Sequence, residues 1–186
     1  MQKGQTLKFQ SKRNKVYLFD GKVHKFSQSA QLEAENLRFL AENGVRVPKV
    51  LGCKKNLLLL ELLCGEPLPE LIERGDFDPQ VLAQALCDWL ADFYAACPEI
   101  SRGDINGRNF LFDGKVVYGV DFEEVLMPGS PAQDAGRLAA FLATYDTKAP
   151  EKQQALVLEF LQRFPAEIKT EFELARAAML KRRVLK

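Results

Sequence analysis

The sequence predicts an α+β fold in which strands dominate the first part of the chain and helices dominate the second. Short β-like runs lie before residue 27, strong helical periodicity follows Pro79, and one apparent hairpin interrupts the helical part. The 186 residues, of which 47% are hydrophobic and 27% charged, are enough for one compact domain or for two small lobes with a real core.

The charge balance excludes a global electrostatic attraction to nucleic acid or membrane. Lys and Arg number 26 against 25 Asp and Glu, a formal net charge of +1, so partners must be recognised at local sites. The sequence shows no apolar signal segment at its N-terminus and no apolar run of about 18 residues, so we expect a cytoplasmic protein without a membrane span.

Cysteine usage indicates a reducing compartment. The chain has four cysteines without a C-x-x-C pair and a single histidine, so we expect buried free thiols rather than a disulfide framework or a zinc site. The residues concerned are Cys53, Cys64, Cys87, Cys97 and His24.

The first part of the chain is predicted to be a small β-meander followed by a helix and two strands. The runs TLKFQ, KVYLFD and KVHKF are β-like, and Asp20-Gly21 is a tight-turn dipeptide. From Ser27 to Gly44 the apolar residues recur at helical spacing, which predicts a helix of about four turns. VRVPKVLGC and NLLLLELLCGE then indicate further strands, and the nearly continuous leucines predict burial of the second on both faces.

The second part is predicted to be mainly helical. The segment from Gly65 to Pro69 breaks the leucine strand, and a long amphipathic helix follows Pro79 and ends at Pro98. Further helices are expected over 133–145 and from about Glu151 to the C-terminus, with a break near Pro165. We therefore expect two lobes, residues 1–64 and 65–186.

Polar residues collect around the predicted hairpin. Asp113-Gly114 is a turn pair between NFLF and KVVYGV, so residues 109–121 should pair, with Asn109 and Asp121 near each other at the open end. Asp104 precedes that end by five residues, in a loop that contains glycine. Two carboxylates and an amide oxygen are hard ligands that suit Mg²⁺ better than zinc, and magnesium suggests a phosphate substrate.

The needs of phosphoryl transfer suggest roles for these three residues. Metal ions neutralise the phosphates, and one carboxylate orients and deprotonates the attacking hydroxyl. Asp121 and Asn109 would hold the metal, and Asp104 would be the base. Taken singly, each residue type is also common at turns and strand ends, where its role is structural.

Taken together, the residues resemble a family motif. D-x-x-x-x-N followed after a hairpin by an apolar residue and D-F is the spacing of the kinase catalytic and metal loops. Arg102-Gly103-Asp104, Asn109 and Val120-Asp121-Phe122-Glu123 resemble the H-G-D-x-x-x-x-N and I-D-F-E of atypical protein-kinase-like phosphotransferases. That branch contains aminoglycoside and choline kinases, RIO kinases and the small kinase subunit of the tRNA threonylcarbamoyladenosine machinery.

The resemblance covers about residues 6 to 145 and implies a bilobal kinase-like fold, with a small β-rich N-lobe carrying one helix and a reduced helical C-lobe. It also implies a lysine and a glutamate that hold the phosphates of ATP. The helix EAENLRFL before VPKVL resembles the family pattern and makes Lys25 and Glu33 the best candidates, with Lys22 and Glu35 as rivals.

Two further roles follow from the same resemblance. The leucine strand ends where the family has the hinge between lobes, so the main chains of Glu61 and Leu63 would bind adenine in an apolar slot. Asp134, in Pro131-Ala132-Gln133-Asp134, would brace the catalytic loop or cap the helix that begins there.

The sequence departs from the family pattern in three ways. The first turn, residues 11–14, lacks glycine, so the side chains of Ser11, Lys12 or Arg13 would have to replace the usual backbone amides at the phosphates. Arg102 stands in place of the usual histidine. The segment after Phe122 is too short for a regulated activation loop, and the second lobe is also short, which favours the minimal kinases.

These observations predict an ATP- and Mg²⁺-dependent transfer of the γ-phosphate to a hydroxyl of a small molecule or of a protein serine. The alternative is a pseudokinase or an ATP-binding regulatory subunit with a protein partner in a larger assembly. The basic tail, residues 181–186, is a weaker candidate for RNA contact, since cations at a helix C-terminus are more often solvated.

Overall fold

The structure, a computed structural model, describes residues 7–9 and 14–184. It divides into two compact units. The first contains the described residues up to Cys64 together with Val120–Val125, and the second contains Gly65–Gly119 and the described residues from Leu126 onward. The lobes expected from the sequence, residues 1–64 and 65–186, stay a prediction, and Val120–Val125 groups with the first unit.

The first unit is a five-stranded antiparallel sheet with one helix, in the strand order β1-β2-β3-β5-β4. The elements are β1 (Leu7–Phe9), β2 (Lys15–Phe19), β3 (Lys22–Phe26), α1 (Ala30–Glu42), β4 (Val50–Lys54) and β5 (Leu57–Glu61).

Local sequence signals explain these elements. Asp20 and Gly21 both have positive φ, 49° and 69°, as a tight two-residue hairpin turn requires, and they set the register of β2 on β3. Helix α1 buries one stripe of small and apolar residues and ends before Gly44, whose φ is 83°. The buried residues of that stripe include Ala30, Ala34, Leu37 and Leu40.

Strand β5 corrects one expectation. It lies between β3 and β4, but it is not buried on both faces. Leu58 and Leu60 are buried, whereas Leu57 and Leu59 are only half-buried. The reason is that the sheet is antiparallel and carries its helix on one face, so even a central strand keeps one face partly accessible.

The second unit is mainly helical. Its elements are β6 (Glu66–Pro67), α2 (Leu68–Arg74), α3 (Pro79–Ala96), β7 (Ile100–Ser101), a 3₁₀ turn (Gly107–Asn109), β8 (Phe110–Phe112), β9 (Val117–Gly119), β10 (Met127–Pro128), α4 (Pro131–Thr144), α5 (Pro150–Gln162) and α6 (Glu167–Val184). The short strands form the sheets β6-β8-β9 and β10-β7.

The predicted hairpin exists and packs against α3. Phe110 pairs with Gly119, and the ring of Trp89 lies 4.9 Å from that of Phe110. A Cβ atom at Gly119 would lie 2.3 Å from Trp89, so only glycine fits at this position. The hairpin is shorter than the expected 109–121, because Asn109 closes the 3₁₀ turn and Asp121, at φ 66°, lies beyond the end of β9.

Two other expectations are corrected in this region. Between Gly65 and Asp78, where the sequence indicated only a break after the leucine strand, the chain forms α2, whose C-cap Gly75 has φ 70°. Of the four thiols expected to be buried, Cys97 is buried, Cys53 and Cys87 are half-buried, and Cys64 is exposed. None of the helices in the described part of the chain has the length and hydropathy needed to cross a membrane.

Candidate active site

A buried ion pair joins β3 to α1. Lys25 Nζ lies 2.7 Å from Glu33 Oε2, and the two side chains are only 8% and 1% exposed. Strand alternation turns Lys25 towards α1, and Glu33 lies in the first turn of that helix. Of the rival residues, Lys22 is exposed opposite Glu61, and Glu35 accepts a hydrogen bond from Gln31.

Two more carboxylates surround the same ammonium group. Asp121 Oδ1 lies 2.5 Å and Glu123 Oε2 lies 3.7 Å from Lys25 Nζ. One carboxylate oxygen each from Glu33, Asp121 and Glu123 lies within 4.8 Å of the others. We call Lys25 and these three acids the Lys25 cluster. One cation faces three anions, so the cluster carries an excess of negative charge when all four groups are ionised.

The pKa values of Lys25 and Glu33 are shifted by burial and by the charges beside them. Burial acts to lower the pKa of Lys25, but the charges of Glu33 and Asp121 and the hydrogen bonds to them outweigh it and raise that pKa. Burial raises the pKa of Glu33, against the opposing effect of Lys25. The ammonium of Lys25 is therefore held charged among the three carboxylates.

The segment that carries Asp121 and Glu123 is fixed to its own unit by side chains that the sequence did not single out. Asn36 Nδ2, on α1, donates to the carbonyl oxygens of Phe122 and Glu124 at 2.9 and 3.2 Å. Glu123 Oε2 accepts a hydrogen bond from Asn14 Nδ2 at 2.6 Å.

The ring of Phe122 is only 1% exposed, and Ser27 Oγ donates to Glu123 at 3.4 Å. The glutamate of the D-F-E motif was the one available signal for Glu123 in the sequence. Asn36 and Asn14 had none, because an amide on a helix or in a turn usually faces water.

In the second unit, the loop before the hairpin holds Asp104 through two amides. Asn106 Nδ2 donates to Asp104 Oδ1 at 2.7 Å, and Asn109 Nδ2 donates to the backbone oxygen and to Oδ2 of Asp104 at 2.8 and 3.2 Å. Asp104 is exposed, whereas Asn109 is only 7% exposed. The carboxylate of Asp104 is thus accessible and oriented, as a base that serves an external hydroxyl must be.

The loop that carries Asp104 also packs against α4. A Cβ atom at Gly107 would lie 2.3 Å from the ring of Phe141 on α4, so this position of the loop requires glycine. The guanidinium of Arg108 lies 5.5 Å from the centre of that ring, in cation–π contact. Both Gly107 and Arg108 therefore pack against the ring of Phe141, which holds the loop on α4.

Asp134 braces the loop from α4. It is fully buried and accepts hydrogen bonds from Tyr94 Oη at 2.6 Å, Ser101 Oγ at 2.8 Å and the backbone N–H of Arg102 at 2.7 Å. Of the two roles expected for Asp134, the structure shows the brace, because the residue at the N-cap of α4 is Ser130. Burial raises the pKa of the Tyr94 hydroxyl, and the charge of Asp134 reinforces the shift.

The predicted hinge residues lie at and just after the end of β5, the last strand of the first unit. Glu61 ends β5, its N–H donates to Lys49 O at 3.0 Å, and its Oε1 accepts from Lys49 N at 2.8 Å. Leu63 lies just beyond, outside regular secondary structure. Their part in binding adenine stays a prediction, and Ser11, Lys12 and Arg13 lie outside the described residues.

The structure thus brings the predicted residues into two groups. Lys25, Glu33 and Asp121 meet in the first unit, and Asp104 and Asn109 meet in the second. The predicted convergence of Asn109 with Asp121 on one metal stays a prediction.

Comparison with known proteins places this arrangement in context. Residues 3–134 match the family model described as the RIO domain. No curated protein sequence is significantly similar to the chain.

Solved structures share its fold. A streptomycin–ATP–APH(2'')-IIa ternary complex superposes with a TM-score of 0.67 at 14% identity, covering 96% of this chain and 84% of the other. ADP-bound aminoglycoside phosphotransferase APH(2'')-Ib gives 0.67 at 12% identity, covering 94% and 82%. A choline/ethanolamine kinase family protein from Mesorhizobium loti gives 0.54 at 15% identity, covering 86% and 70%. The α+β, protein-kinase-like fold expected from the sequence is confirmed.

Proposed function

Because the chain belongs to the RIO domain family, we propose that it is an ATP- and Mg²⁺-dependent phosphotransferase that moves the γ-phosphate of ATP to a hydroxyl group. The acceptor would be a small molecule or a protein serine. The observation that carries this proposal is the Lys25 cluster, in which three carboxylates surround one buried ammonium. Such an excess of negative charge fits a site that takes up a cation.

The residues of the first unit would bind the nucleotide and metal. Lys25 would pair with phosphate oxygens, and Glu33 would hold its ammonium in place. Asp121 would offer a carboxylate to Mg²⁺, and Asn109 would offer its amide oxygen, since its Nδ2 donates to Asp104. Bound Mg²⁺ supplies neutralisation of the phosphate charge.

The hinge residues would bind adenine through the main chain. The N–H of Glu61 already donates to Lys49, so its carbonyl oxygen is the group that would accept the adenine amino group. Leu63 would contribute its N–H. Leu62, which lies between them, is 38% exposed, whereas Glu61 and Leu63 are half-buried.

Asp104 would be the base. The proton of the acceptor hydroxyl passes to the Asp104 carboxylate, the acceptor oxygen bonds to the γ-phosphorus, and the bond from that phosphorus to the β–γ bridging oxygen breaks to release ADP. The amides of Asn106 and Asn109 would orient the carboxylate for this transfer, since each donates to one of its oxygens.

Turnover of ATP tests the proposal. We would measure Mg²⁺-dependent ADP formation with sugars, amino alcohols, aminoglycosides and protein acceptors, comparing wild type with Asp104→Asn and Asp121→Asn. Each variant should lose about 100- to 10,000-fold in rate. Asp113→Asn is the matched control, because Asp113 is exposed in the hairpin turn, where its carboxylate accepts hydrogen bonds from the backbone N–H groups of Lys115 and Val116.

The outcomes separate the two candidate functions. Undiminished turnover in both variants would sink the assignment. Absence of turnover with a raised Tm in Mg²⁺-ATP would instead support the ATP-binding regulatory subunit, and absence of any Tm shift would count against both.

A further inference from the structure

The sheet of the first unit has a face that α1 does not cover. Lys25 and Cys53 point towards α1, since Lys25 pairs with Glu33 and Cys53 Sγ donates to Ala30 O. Side chains alternate along a strand, so the neighbouring positions point the opposite way. We call this side the outer face, and its central positions are Tyr17, Phe19, His24, Phe26, Leu57 and Leu59.

The outer face is aromatic and accessible. Phe19 and Phe26 are 46% and 45% exposed, and Tyr17 and His24 are half-buried beside them. The rings contact each other edge to face, with centroids 6.2 Å apart for Tyr17 and Phe26 and 5.7 Å apart for Phe19 and His24. Four rings on two adjacent strands form a continuous exposed patch of the kind that marks a binding surface.

Lysines border this patch. The register places Lys15, Phe26, Leu57 and Lys54 in one row across the sheet, so that a lysine stands at each end of an apolar pair. Lys22 adds a third exposed cation on the same face, opposite Glu61.

The surface charge on this face is therefore positive. Among the outer-face side chains that the structure describes, three lysines face a single glutamate, although the whole chain has a net charge of only +1. The carboxylate of that glutamate also accepts a hydrogen bond from Lys49 N, so its charge is partly engaged. This concentration of cations around aromatic rings is local and is not a property of the composition.

From these observations we infer that the outer face binds single-stranded nucleic acid. Bases stack on exposed aromatic side chains of a sheet while lysines contact the phosphates, and unpaired bases are available for such stacking only in single strands. Tyr17 and Phe19 stand two residues apart on one strand, about 6.6 Å, so each ring can receive a separate base. This inference does not rest on the proposed phosphotransfer.

A protein partner is the competing occupant, but lysines around rings complement phosphates and bases more directly than an apolar protein surface.

The rings are tested by fluorescence anisotropy at low salt with a labelled oligouridine of about ten nucleotides and with a duplex of the same length. The double variant Phe19→Leu/Phe26→Leu keeps the apolar volume and removes the stacking surface. It should bind the single strand at least about tenfold more weakly, and the duplex should bind more weakly than the single strand to wild type. Phe39→Leu is the control, because Phe39 is equally exposed, at 46%, but lies on α1.

The lysines are tested by the salt dependence of the same binding. Lys15→Gln/Lys54→Gln should reduce the slope of log affinity against log salt by about 1.4, or about 0.7 for each lost phosphate contact. Lys169→Gln, an exposed lysine of α6, should leave the slope unchanged. Unchanged Tm values would show that the variants remain folded.

Three results would overturn the inference. The first is failure of wild type to bind the single strand, which would leave a protein as the occupant of the face. The second is equal loss of binding in Phe39→Leu and the ring variant. The third is loss of binding in Lys181→Gln/Arg182→Gln with full binding in the sheet variants, which would place the contact on the basic tail.

Discussion

Two buried carboxylates, one in each unit, differ in how their charge is satisfied. Asp134 is fully buried, and two hydroxyl groups and a backbone N–H donate to it. Glu33 is buried to the same extent, but it shares one ammonium with Asp121 and Glu123. The first carboxylate accepts three hydrogen bonds and also lies 3.8 Å from the guanidinium of Arg137, whereas the second belongs to a group of three carboxylates around one ammonium.

This difference separates structure from function. A carboxylate saturated by hydrogen bonds stabilises the fold, because removing it leaves several buried donors without an acceptor. A cluster with more negative than positive charges costs folding energy, and such a cluster fits a site that a cationic ligand completes. Asp134 is therefore a brace for the backbone at Arg102, and the Lys25 cluster is the place where we expect nucleotide and metal to bind.

The largest expected effect is the loss of unfolding free energy when Asp134 is removed. Asp134→Ala should lower the free energy of unfolding by about 3–5 kcal/mol, because three donors lose their buried acceptor. Asp121→Asn should change it by less than about 1 kcal/mol, because it removes one of three crowded negative charges from a side chain that is 40% exposed. Urea unfolding of both variants measures the contrast, and equal losses would break the comparison.

A smaller effect is expected from removing one donor of the brace. Tyr94→Phe deletes the hydroxyl that donates to Asp134 but keeps the ring, so the free energy of unfolding should fall by about 1.5–3 kcal/mol. Tyr17→Phe is the matched control, because its ring is half-buried on the sheet of the other unit. A loss no larger than that of the control would show that the hydroxyl is not a necessary donor.

The stability difference between wild type and Tyr94→Phe should also depend on pH. The raised pKa keeps Tyr94 protonated in the folded protein, whereas in the unfolded chain it ionises near its ordinary pKa of about 10. Unfolding above that pH releases a proton, so the free energy of unfolding of wild type falls as pH rises. The stability advantage of wild type over Tyr94→Phe should therefore shrink by about 1.4 kcal/mol per unit above pH 10. A constant advantage in urea unfolding at alkaline pH would contradict the buried hydroxyl.

The smallest expected effect on stability concerns Asn36, which holds the segment that carries Asp121 and Glu123 of the Lys25 cluster. Asn36→Ala removes both hydrogen bonds to the carbonyls of Phe122 and Glu124, and should cost about 1 kcal/mol of unfolding free energy. It should lower kcat for ATP turnover by about ten- to a hundredfold, because it loosens the segment that carries Asp121. Gln31→Ala, an exposed amide on the same helix, should leave kcat unchanged. Equal kcat in the two variants would remove Asn36 from the site.

The local elements could be predicted where short-range patterns decide them. Asp20-Gly21 and Asp113-Gly114 indicated their turns, and the change from strand to helical spacing at Ser27 placed Lys25 just before the helix that carries Glu33. Helix α2 was missed because it has only seven residues, begins at Leu68-Pro69 and follows a glycine, which together resemble a loop.

The parts that could not be predicted depend on long-range contacts. Asn14 and Glu123 are 109 residues apart, so nothing in the local sequence of either one indicates their hydrogen bond. The partly accessible face of β5 likewise depends on which side of the sheet α1 occupies, and a run of leucines does not carry that information. The motif indicated which residues to expect at the site, whereas the contacts that support them could be found only in the fold.

Isothermal titration with Mg²⁺-ATP tests the central claim most directly. Wild type should bind the nucleotide, and removing Mg²⁺ with a chelator should weaken binding. Lys25→Met and Asp121→Asn should each lower the affinity by at least about tenfold, the loss expected for a charged hydrogen bond, while Asp113→Asn binds like wild type. Unchanged affinity in both cluster variants would contradict the account, because the excess negative charge around Lys25 would then have no ligand to balance it.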